Sequence, residues 1–253
     1  MILSGLDPSG GAGIQADIQA ITSLGCHPLP VLTCLTVQDT RNVYGAEAVS
    51  AELIRRQLQC IADDAPIHAV KTGALGNAAV VDVLVEFMAE RPGLPLITDP
   101  VIKAAGGGDL ADDELIAAMK ERLFPLAEMI TPNGVELALL GGSDNPGEAA
   151  EHLLQGGCES VFATGGHGTG IHITNTLYNH DLEPMHWEIE RIGGEYHGTG
   201  CTLAAAIAAG RASGLSPRAA ISQAQNYVNH AILHALEVGK GQPVPDRGIP
   251  WER

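Results

Sequence analysis

Two glycine-rich segments are the parts of this sequence best suited to bind a ligand. The first, residues 7–13 (DPSGGAG), separates an expected strand from an expected helix, and Asp17 follows about one turn into that helix. Glycines there let a ligand approach the backbone closely. The segment is neither the six-position dinucleotide fingerprint nor a Walker loop, which ends in Lys-Ser/Thr. A ligand loop and a plain strand-to-helix turn are equally compatible with it.

The second segment, residues 197–201 (HGTGC), opens an alanine-rich helix. Backbone N–H groups at a glycine-flanked helix start attract anions, so Gly198, Thr199 and Gly200 predict an anion site. Cys201 falls in the first turn, where the helix terminus is expected to lower the thiol pKa. The thiol could serve as a base, a nucleophile or a neutral polar wall. A small cysteine packed under a sheet is the alternative, and we favour function because both signals coincide.

Further candidates follow other expected strands. Asn133 and Glu136 have the spacing of a capping box, so a helix cap competes with a role in orienting waters on Mg²⁺. Asp99 ends a strand and suits a metal or phosphate site, or equally a turn. Thr164 and Gly166 follow another strand, where backbone could meet phosphates or simply turn.

The elements that must position these residues alternate between short apolar runs and amphipathic segments. This alternation predicts a mostly parallel sheet with helices on both faces, in a single domain over residues 1–253. We expect strands at 1–5, 30–37, 68–72, 95–98, 129–131 and 160–163, and a hairpin of 170–178 with 185–192. We expect helices at 13–24, 51–62, 77–90, 113–123, from 133 to about 140, 200–213 and 217–236.

Composition excludes several classes of function. The chain has 253 residues, with 14 Lys plus Arg against 30 Asp plus Glu, a net charge of −16 that disfavours nucleic acid and anionic membranes as partners. Its 5 Cys are widely spaced without a CxxC pair, which predicts free thiols in a reducing cytoplasm. Neither a signal peptide nor a membrane span is visible. The histidines show no metal-ligand pattern.

Taken in order, the motifs are more specific than any one alone. Over about residues 1–236 they closely resemble the hydroxymethylpyrimidine/phosphomethylpyrimidine kinases of thiamine biosynthesis, which belong to the ribokinase-like superfamily. The motifs are 5–17 (GLDPSGGAGIQAD), 38–40 (QDT), 71–73 (KTG), 99–101 (DPV), 131–136 (TPNGVE), 165–167 (GGH) and 197–201 (HGTGC). The resemblance implies a three-layer α/β/α fold with a small β hairpin. It also implies ATP-dependent phosphorylation of 4-amino-5-hydroxymethyl-2-methylpyrimidine and then of its monophosphate.

The resemblance further implies a role for each matched residue. Its expected substrate-binding residues are Asp17 and Gln38, which hydrogen-bond the aminopyrimidine, with Ala12 and Val101 as pocket wall. Its expected catalytic and ATP-binding residues are Gly198, Thr199, Gly200 and Cys201, and Asn133, Glu136, Thr164 and Gly166. Asp99 and Glu136 are the expected metal ligands, the cofactors are ATP and Mg²⁺, and a homodimer is expected.

The sequence departs from the family pattern around the phosphates. Ala74 stands where the family commonly has Met, and Thr164 where it commonly has Lys. The loop at 102–108 (IKAAGGG) lacks the usual Ala-Lys-Ser-Gly. Two lysines are therefore missing, which puts the second phosphorylation in doubt, and Lys103 is our candidate for replacing one of them.

Other functions remain open on the sequence alone. A pyridoxal kinase is the runner-up, since some relatives with the Gly-Thr-Gly-Cys ending phosphorylate that vitamin. A non-catalytic pyrimidine sensor fits the missing lysines but leaves the anion site at residues 198–201 without a purpose. A transferase with Cys201 as nucleophile lacks a histidine that the sequence places beside it.

Overall fold

A continuous sheet runs through the computed structural model, which describes residues 1–103, 108, 110–166, 170–180 and 182–249. Within those residues the strands are β1 (Ile2–Leu6), β2 (Pro30–Gln38), β3 (Val43–Ala48), β4 (Val70–Thr72), β5 (Leu96–Thr98), β6 (Met129–Ile130), β7 (Ser160–Ala163), β8 (His172–Asn179) and β9 (Met185–Glu190). Their spatial order is β3-β2-β1-β4-β5-β6-β7-β8-β9. From β2 to β7 in that order the pairs are parallel, whereas β3, β8 and β9 pair antiparallel. The predicted mostly parallel sheet and hairpin are confirmed.

Helices cover both faces of this sheet, which confirms the predicted three layers. Their bounds are α1 (Gly13–Ser23), α2 (Ala51–Asp64), α3 (Ala78–Ala89), α4 (Asp113–Ala118), α5 (Gly134–Gly141), α6 (Pro146–Gln155), α7 (Thr199–Ala212) and α8 (Pro217–Leu233). Apolar residues of α1, α7 and α8 form the core on one face, and those of α2 to α6 form the core on the other. No helix in the described ranges is long and apolar enough to cross a membrane.

The apolar runs become central strands because both of their faces are buried. Neighbouring strand residues point to opposite faces, so Ile2 and Ile97 pack toward α7 while Leu3 and Leu96 pack toward α3. In α7 the buried positions are mostly alanine, and small side chains let this helix lie close to α1 and α8. At Gly210 a Cβ would come within 2.9 Å of the Ala220 Cβ, which shows how closely α7 and α8 approach.

The sequence patterns missed β3 and α6, and they overextended α4. β3 is an edge strand with mostly exposed side chains, so its residues lack a buried periodic pattern. α6 has an ordinary start, with Asn145 as N-cap and Pro146 as its first residue, although no helix was predicted there. α4 ends at Ala118, and the chain continues as one π turn and a 3₁₀ turn through Leu126.

The topology creates a crevice at the carboxyl ends of the parallel strands. From β1 the chain passes to β2 on one side and later to β4 on the other side. Doubly wound sheets bind ligands outside the strand carboxyl ends at such a reversal of direction. The loops after β1, β4, β5, β6 and β7 therefore converge there with the start of α7.

Candidate active site

A cavity of about 230 Å³ occupies this crevice. Most of the residues predicted from the sequence line it: Ala12, Gln38, Asp99, Val101, Asn133, Glu136, Thr164, Gly198, Thr199, Gly200 and Cys201. Asp17 and Gly166 are not part of this lining. The strand ends and the start of α7 thus bring residues from distant parts of the sequence to one cavity.

A buried Asp–His pair joins the two glycine-rich loops. His197 Nε2 lies 2.8 Å from Asp7 Oδ2, which also accepts from the Ala12 N–H. Asp7 Oδ1 accepts from both the backbone N–H and the hydroxyl of Ser9. Burial alone would raise the pKa of Asp7, but the hydrogen bonds from His197 and Ser9 lower it below its ordinary value. The carboxylate therefore holds the first loop in place rather than titrating near neutral pH.

The same network orients the Gln38 amide at the cavity wall. Its terminal atoms lie 3.1 Å from the Thr36 hydroxyl and 3.2 Å from His197 Nε2. The Thr36 hydroxyl, which donates to the Leu6 carbonyl, also faces Gln38 Oε1, and Gln38 Nε2 faces His197 Nε2. These two contacts fix the orientation of the amide. The second amide N–H then remains to meet a ligand acceptor.

The start of α7 has the features of an anion site. Gly198 is its N-cap, with a φ of 86°, a left-handed conformation that favours glycine. A Cβ at this position would lie 1.9 Å from the Gly11 carbonyl oxygen, so no other residue fits without displacing the first loop. Because Gly198 has no side chain to cap the helix, the first N–H groups of α7 remain oriented toward the cavity.

The predicted activation of Cys201 is wrong. Burial raises its thiol pKa to about 12, and the nearby Asp99 and Asp17 carboxylates raise it further. Lys71 and a hydrogen bond from the Gly13 backbone act in the opposite direction but do not offset burial. Desolvation therefore outweighs the helix terminus. Cys201 lines the cavity, and a thiol with this pKa is neutral at pH 7, which is compatible with the neutral polar wall among the three roles left open by the sequence.

Asp17 lies beneath the cavity rather than on its wall. Its side chain is fully buried, and its two oxygens lie 2.8 and 2.9 Å from Lys71 Nζ. Burial alone would lower the pKa of Lys71, but the Asp17 carboxylate, followed by that of Asp99, raises it. The lysine stays protonated for that reason. The pair joins α1 to β4 directly below Cys201.

Asp99 and Glu136 place two carboxyl groups on the cavity wall, with Asp99 close to Cys201. Burial, followed by repulsion from Asp99, raises the pKa of Glu136 to about 8. Burial likewise raises the pKa of Asp99, although Lys71 lowers it. The capping box predicted for α5 is present as well, since Glu136 accepts from the Asn133 N–H at 3.0 Å. Cap and cavity roles therefore coexist in Glu136.

This carboxylate pair fits a hydrated divalent cation. Among the described residues no group of three or more His, Cys, Asp or Glu could hold a metal ion. Mg²⁺ commonly takes one or two carboxylates and completes its shell with water and substrate phosphates. A cation beside Asp99 and Glu136 would relieve the repulsion that raises the Glu136 pKa.

The loop after β7 is held by buried amides. The Gly165 N–H donates to Asn175 Oδ1 at 2.9 Å, and Asn175 donates to Gln225 in α8 at 2.8 Å. Arg191 Nη1 donates to the Gly166 carbonyl at 2.8 Å.

His167 of this motif, and 104–107 of the loop that follows β5, lie outside the described residues. Lys103, our candidate for replacing one of the two missing lysines, lines the cavity.

Sequence reasoning underestimated four residues of this region. Asp7 and His197 belong to recognised motifs, but their pairing across 190 positions has no local signal. Lys71 also lies in a motif, but the sequence does not indicate that it is buried and paired with Asp17. Arg247 lies outside every motif, yet its guanidinium contacts the carbonyls of both glycine-rich loops.

Comparisons with known proteins agree with this geometry. A family model described as phosphomethylpyrimidine kinase matches residues 7–245. The hydroxymethylpyrimidine/phosphomethylpyrimidine kinase of Rhizobium meliloti is 36% identical over 250 residues, 95% of this chain and 93% of that protein. The thiamine biosynthesis bifunctional protein ThiED of Geobacter sulfurreducens is 36% identical over 95% of this chain, which spans 50% of its length. An ADP complex of Bacillus subtilis pyridoxal kinase has a TM-score of 0.88 and 29% identity over 97% of this chain and 95% of that one.

The Asp17–Lys71 pair generates a stability prediction. Lys71→Met leaves a buried carboxylate without its partner, so we expect the free energy of unfolding to fall by about 3–5 kcal/mol. Asp17→Leu combined with Lys71→Met removes both charges and is expected to recover most of that loss. Urea unfolding monitored by circular dichroism measures both.

The exposed Arg122–Asp82 pair provides the matched control, since its side chains are 44% and 49% exposed. Arg122→Met is expected to cost less than about 1 kcal/mol. Equal losses from Lys71→Met and Arg122→Met would contradict the structural importance of the buried pair.

Glu136 generates a pH prediction. Its pKa is about 8 in the folded chain against 4.5 for an ordinary glutamate, so folding favours the protonated form. In Mg²⁺-free buffer its contribution to the free energy of unfolding is therefore complete below about pH 4.5 and is lost as the pH rises toward 8. We expect the stability of wild type relative to Glu136→Gln to decline across that window. Glu121→Gln, at an exposed glutamate, should show no such decline, and parallel profiles for wild type and Glu136→Gln would disprove the shift.

Proposed function

The chain belongs to the phosphomethylpyrimidine kinase family, and from this membership we propose that it phosphorylates 4-amino-5-hydroxymethyl-2-methylpyrimidine and its monophosphate in thiamine biosynthesis. ATP is the proposed phosphoryl donor, and the ADP complex of the pyridoxal kinase with the same fold supports that choice. The observation that carries the proposal is the position of the α7 start, which faces the same cavity as Gln38 and the Asp99–Glu136 pair. The family resemblance seen in the motifs is confirmed.

The acceptor end of the cavity suits an aminopyrimidine. Gln38 presents an amide whose orientation is fixed by Thr36 and His197, so it can pair with a ring nitrogen or the exocyclic amine. Ala12 and Val101 supply the apolar walls that a flat methylated ring requires. We propose that Asp17 acts indirectly, by fixing Lys71 beneath the ring, since its oxygens are occupied by that lysine.

The donor end of the cavity suits a transferring phosphoryl group. Phosphoryl transfer depends mainly on positioning and on stabilising charge at the phosphoryl oxygens. We propose that the N–H groups of Gly200 and Cys201, which line the cavity at the α7 start, receive those oxygens. Asn133, Thr164 and Gly166 are proposed to contact ATP. Mg²⁺ would neutralise phosphate charge, and Asp99 and Glu136 are the residues proposed to hold it.

The remaining expectations concern the whole protein. We propose a single kinase domain, because one uninterrupted sheet links β3 to β9 across the described residues. A homodimer in the cytoplasm is also proposed, and the cysteines, which are all free, are compatible with a reducing compartment.

ADP release with different acceptors tests the proposed function. The hydroxymethylpyrimidine, its monophosphate and pyridoxal are compared in a coupled assay, with an acceptor-free reaction as control. We expect both pyrimidines to support turnover and to exceed pyridoxal in kcat/KM. A preference for pyridoxal would replace the proposed acceptor. Calorimetric pyrimidine binding without ADP release would instead indicate a sensor.

Cys201 generates a separate prediction. Because its thiol is neutral up to a pKa of about 12, neither covalent catalysis nor general base catalysis by a thiolate is expected. Cys201→Ser should retain kcat within about tenfold, since loss of a general base typically costs 10²-fold or more. The pH profile of kcat should also be the same in wild type and variant. A larger loss, or an acidic limb absent from the serine variant, would restore a catalytic role for the thiolate.

A further inference from the structure

A buried arginine behind the α7 start connects the two loops that form the proposed acceptor and phosphoryl sites. Arg247 is 3% exposed and lies in the segment after α8. Its Nη2 donates to the Gly11 carbonyl at 2.6 Å and, at 3.4 Å, to the Gly198 carbonyl. Gly11 belongs to the first glycine-rich loop, and Gly198 is the N-cap of α7. One guanidinium group therefore neutralises carbonyl dipoles of both loops.

The two loops are in close contact at the point where Arg247 reaches them. A Cβ at Gly198 would lie 1.9 Å from the Gly11 oxygen and 2.7 Å from Arg247 Nη2. Two carbonyl oxygens converging in a buried place repel each other and require donors. A planar guanidinium can serve both because its N–H groups diverge in a fixed plane.

The other guanidinium nitrogens extend the connection to neighbouring helices. Arg247 Nε donates to the Thr202 hydroxyl at 2.8 Å, and Thr202 in turn donates to the Gly198 carbonyl at 2.7 Å. Nη1 lies 3.4 Å from Gln19 Oε1 in α1. The first turn of α7 is thus fixed relative to both α1 and the first loop by one side chain.

The backbone around Arg247 is anchored independently of its guanidinium. The Asp246 N–H donates to the Ala231 carbonyl, and the Tyr227 hydroxyl donates to the Arg247 carbonyl. The His197 N–H donates to Pro243, and Leu236 pairs with Val244 in both directions. These hydrogen bonds remain when the side chain is shortened, so a variant at 247 is expected to fold.

We propose that Arg247 is a positioning residue for phosphoryl transfer. It holds the first glycine-rich loop against the α7 start, so that the hydroxyl of the acceptor substrate and the phosphoryl group meet in line. Its buried positive charge also adds to the favourable potential of the helix terminus for a phosphate. This inference rests on the proposed function and assigns one further residue to that site.

Arg247→Ala tests the proposal in the same coupled assay. Displacement of reacting groups by about 1 Å can cost 10²-fold in rate, so we expect kcat to fall by about 10²-fold. The KM for the pyrimidine should stay within about threefold of wild type, because Gln38 and its partners Thr36 and His197 are left in place.

Arg211→Ala is the matched control on the same helix. Arg211 pairs with Glu128 near the end of α7, about 18 Å along the helix from its start. This variant loses a partly buried ion pair, so its stability should fall while kcat remains within about twofold of wild type. Urea unfolding measured in parallel separates loss of folded protein from loss of rate.

Chemical rescue provides a readout that a purely structural role would not produce. Arg247 borders a second cavity of about 490 Å³, between the first loop and the segment after α8, through which a small cation can enter. Millimolar guanidinium chloride should raise kcat of Arg247→Ala several-fold and leave Arg211→Ala unchanged. Should Arg247→Ala fail to fold, Arg247→Lys replaces it, with an expected fall in kcat of about tenfold because one ammonium cannot satisfy both carbonyls in the same geometry.

The outcomes distinguish the two proposals. Wild type that releases no ADP with either pyrimidine refutes the proposed function, and this inference with it. Active wild type with a folded Arg247→Ala that keeps kcat within about twofold refutes the inference alone. A fall in kcat that is equally large in Arg211→Ala, or one that guanidinium does not relieve, also refutes it.

Discussion

The close approach of two glycine-rich loops is the constraint on which the cavity depends. At Gly11 an added Cβ would lie 2.4 Å from the His197 ring, and at Gly198 it would meet the Gly11 carbonyl. Because side chains are excluded there, Asp7 can reach His197, and the Gly13 backbone can reach the Cys201 thiol. The first glycine-rich loop and the start of α7 are therefore parts of one packed unit, and hydrogen bonds across this unit set their relative position.

This packed unit also bears on the electrostatics of an acidic protein whose proposed substrates are anionic. With a net charge of −16, the surface as a whole repels phosphate. Among the described residues, Lys71 is the buried lysine and Arg247 the buried arginine, and both contact the loops or strands beneath the cavity. Interactions in a desolvated site are stronger than at a surface. A few buried positive groups and the α7 N–H groups can thus attract phosphate within the cavity, although the surface charge is large, because salt screens the surface charge.

Much of the fold, but less of the site, was predictable from the sequence. Apolar runs such as Leu96–Thr98 and caps such as Ser50 are local signals, and the structure places a strand and an N-cap there. The edge strand Val43–Ala48 was not predicted because most of its residues are exposed, so the sequence shows no alternation of apolar and polar residues there. Asp17 has one orientation only because Lys71, 54 positions later, is buried beside it. Long-range partners of this kind have no signature in the spacing of nearby residues.

Cys201 shows why a correct local rule can give the wrong direction for a pKa shift. A helix start favours a thiolate, but that preference is small beside the cost of ionising a buried group surrounded by Asp17 and Asp99. The same carboxylates keep Lys71 protonated, so one buried charge cluster opposes thiol ionisation and maintains a cation under the cavity. A neutral thiol above a fixed ammonium leaves the α7 N–H groups without a competing anion. The site is thereby preorganised for the negative charge of an incoming phosphoryl group rather than for a nucleophile of its own.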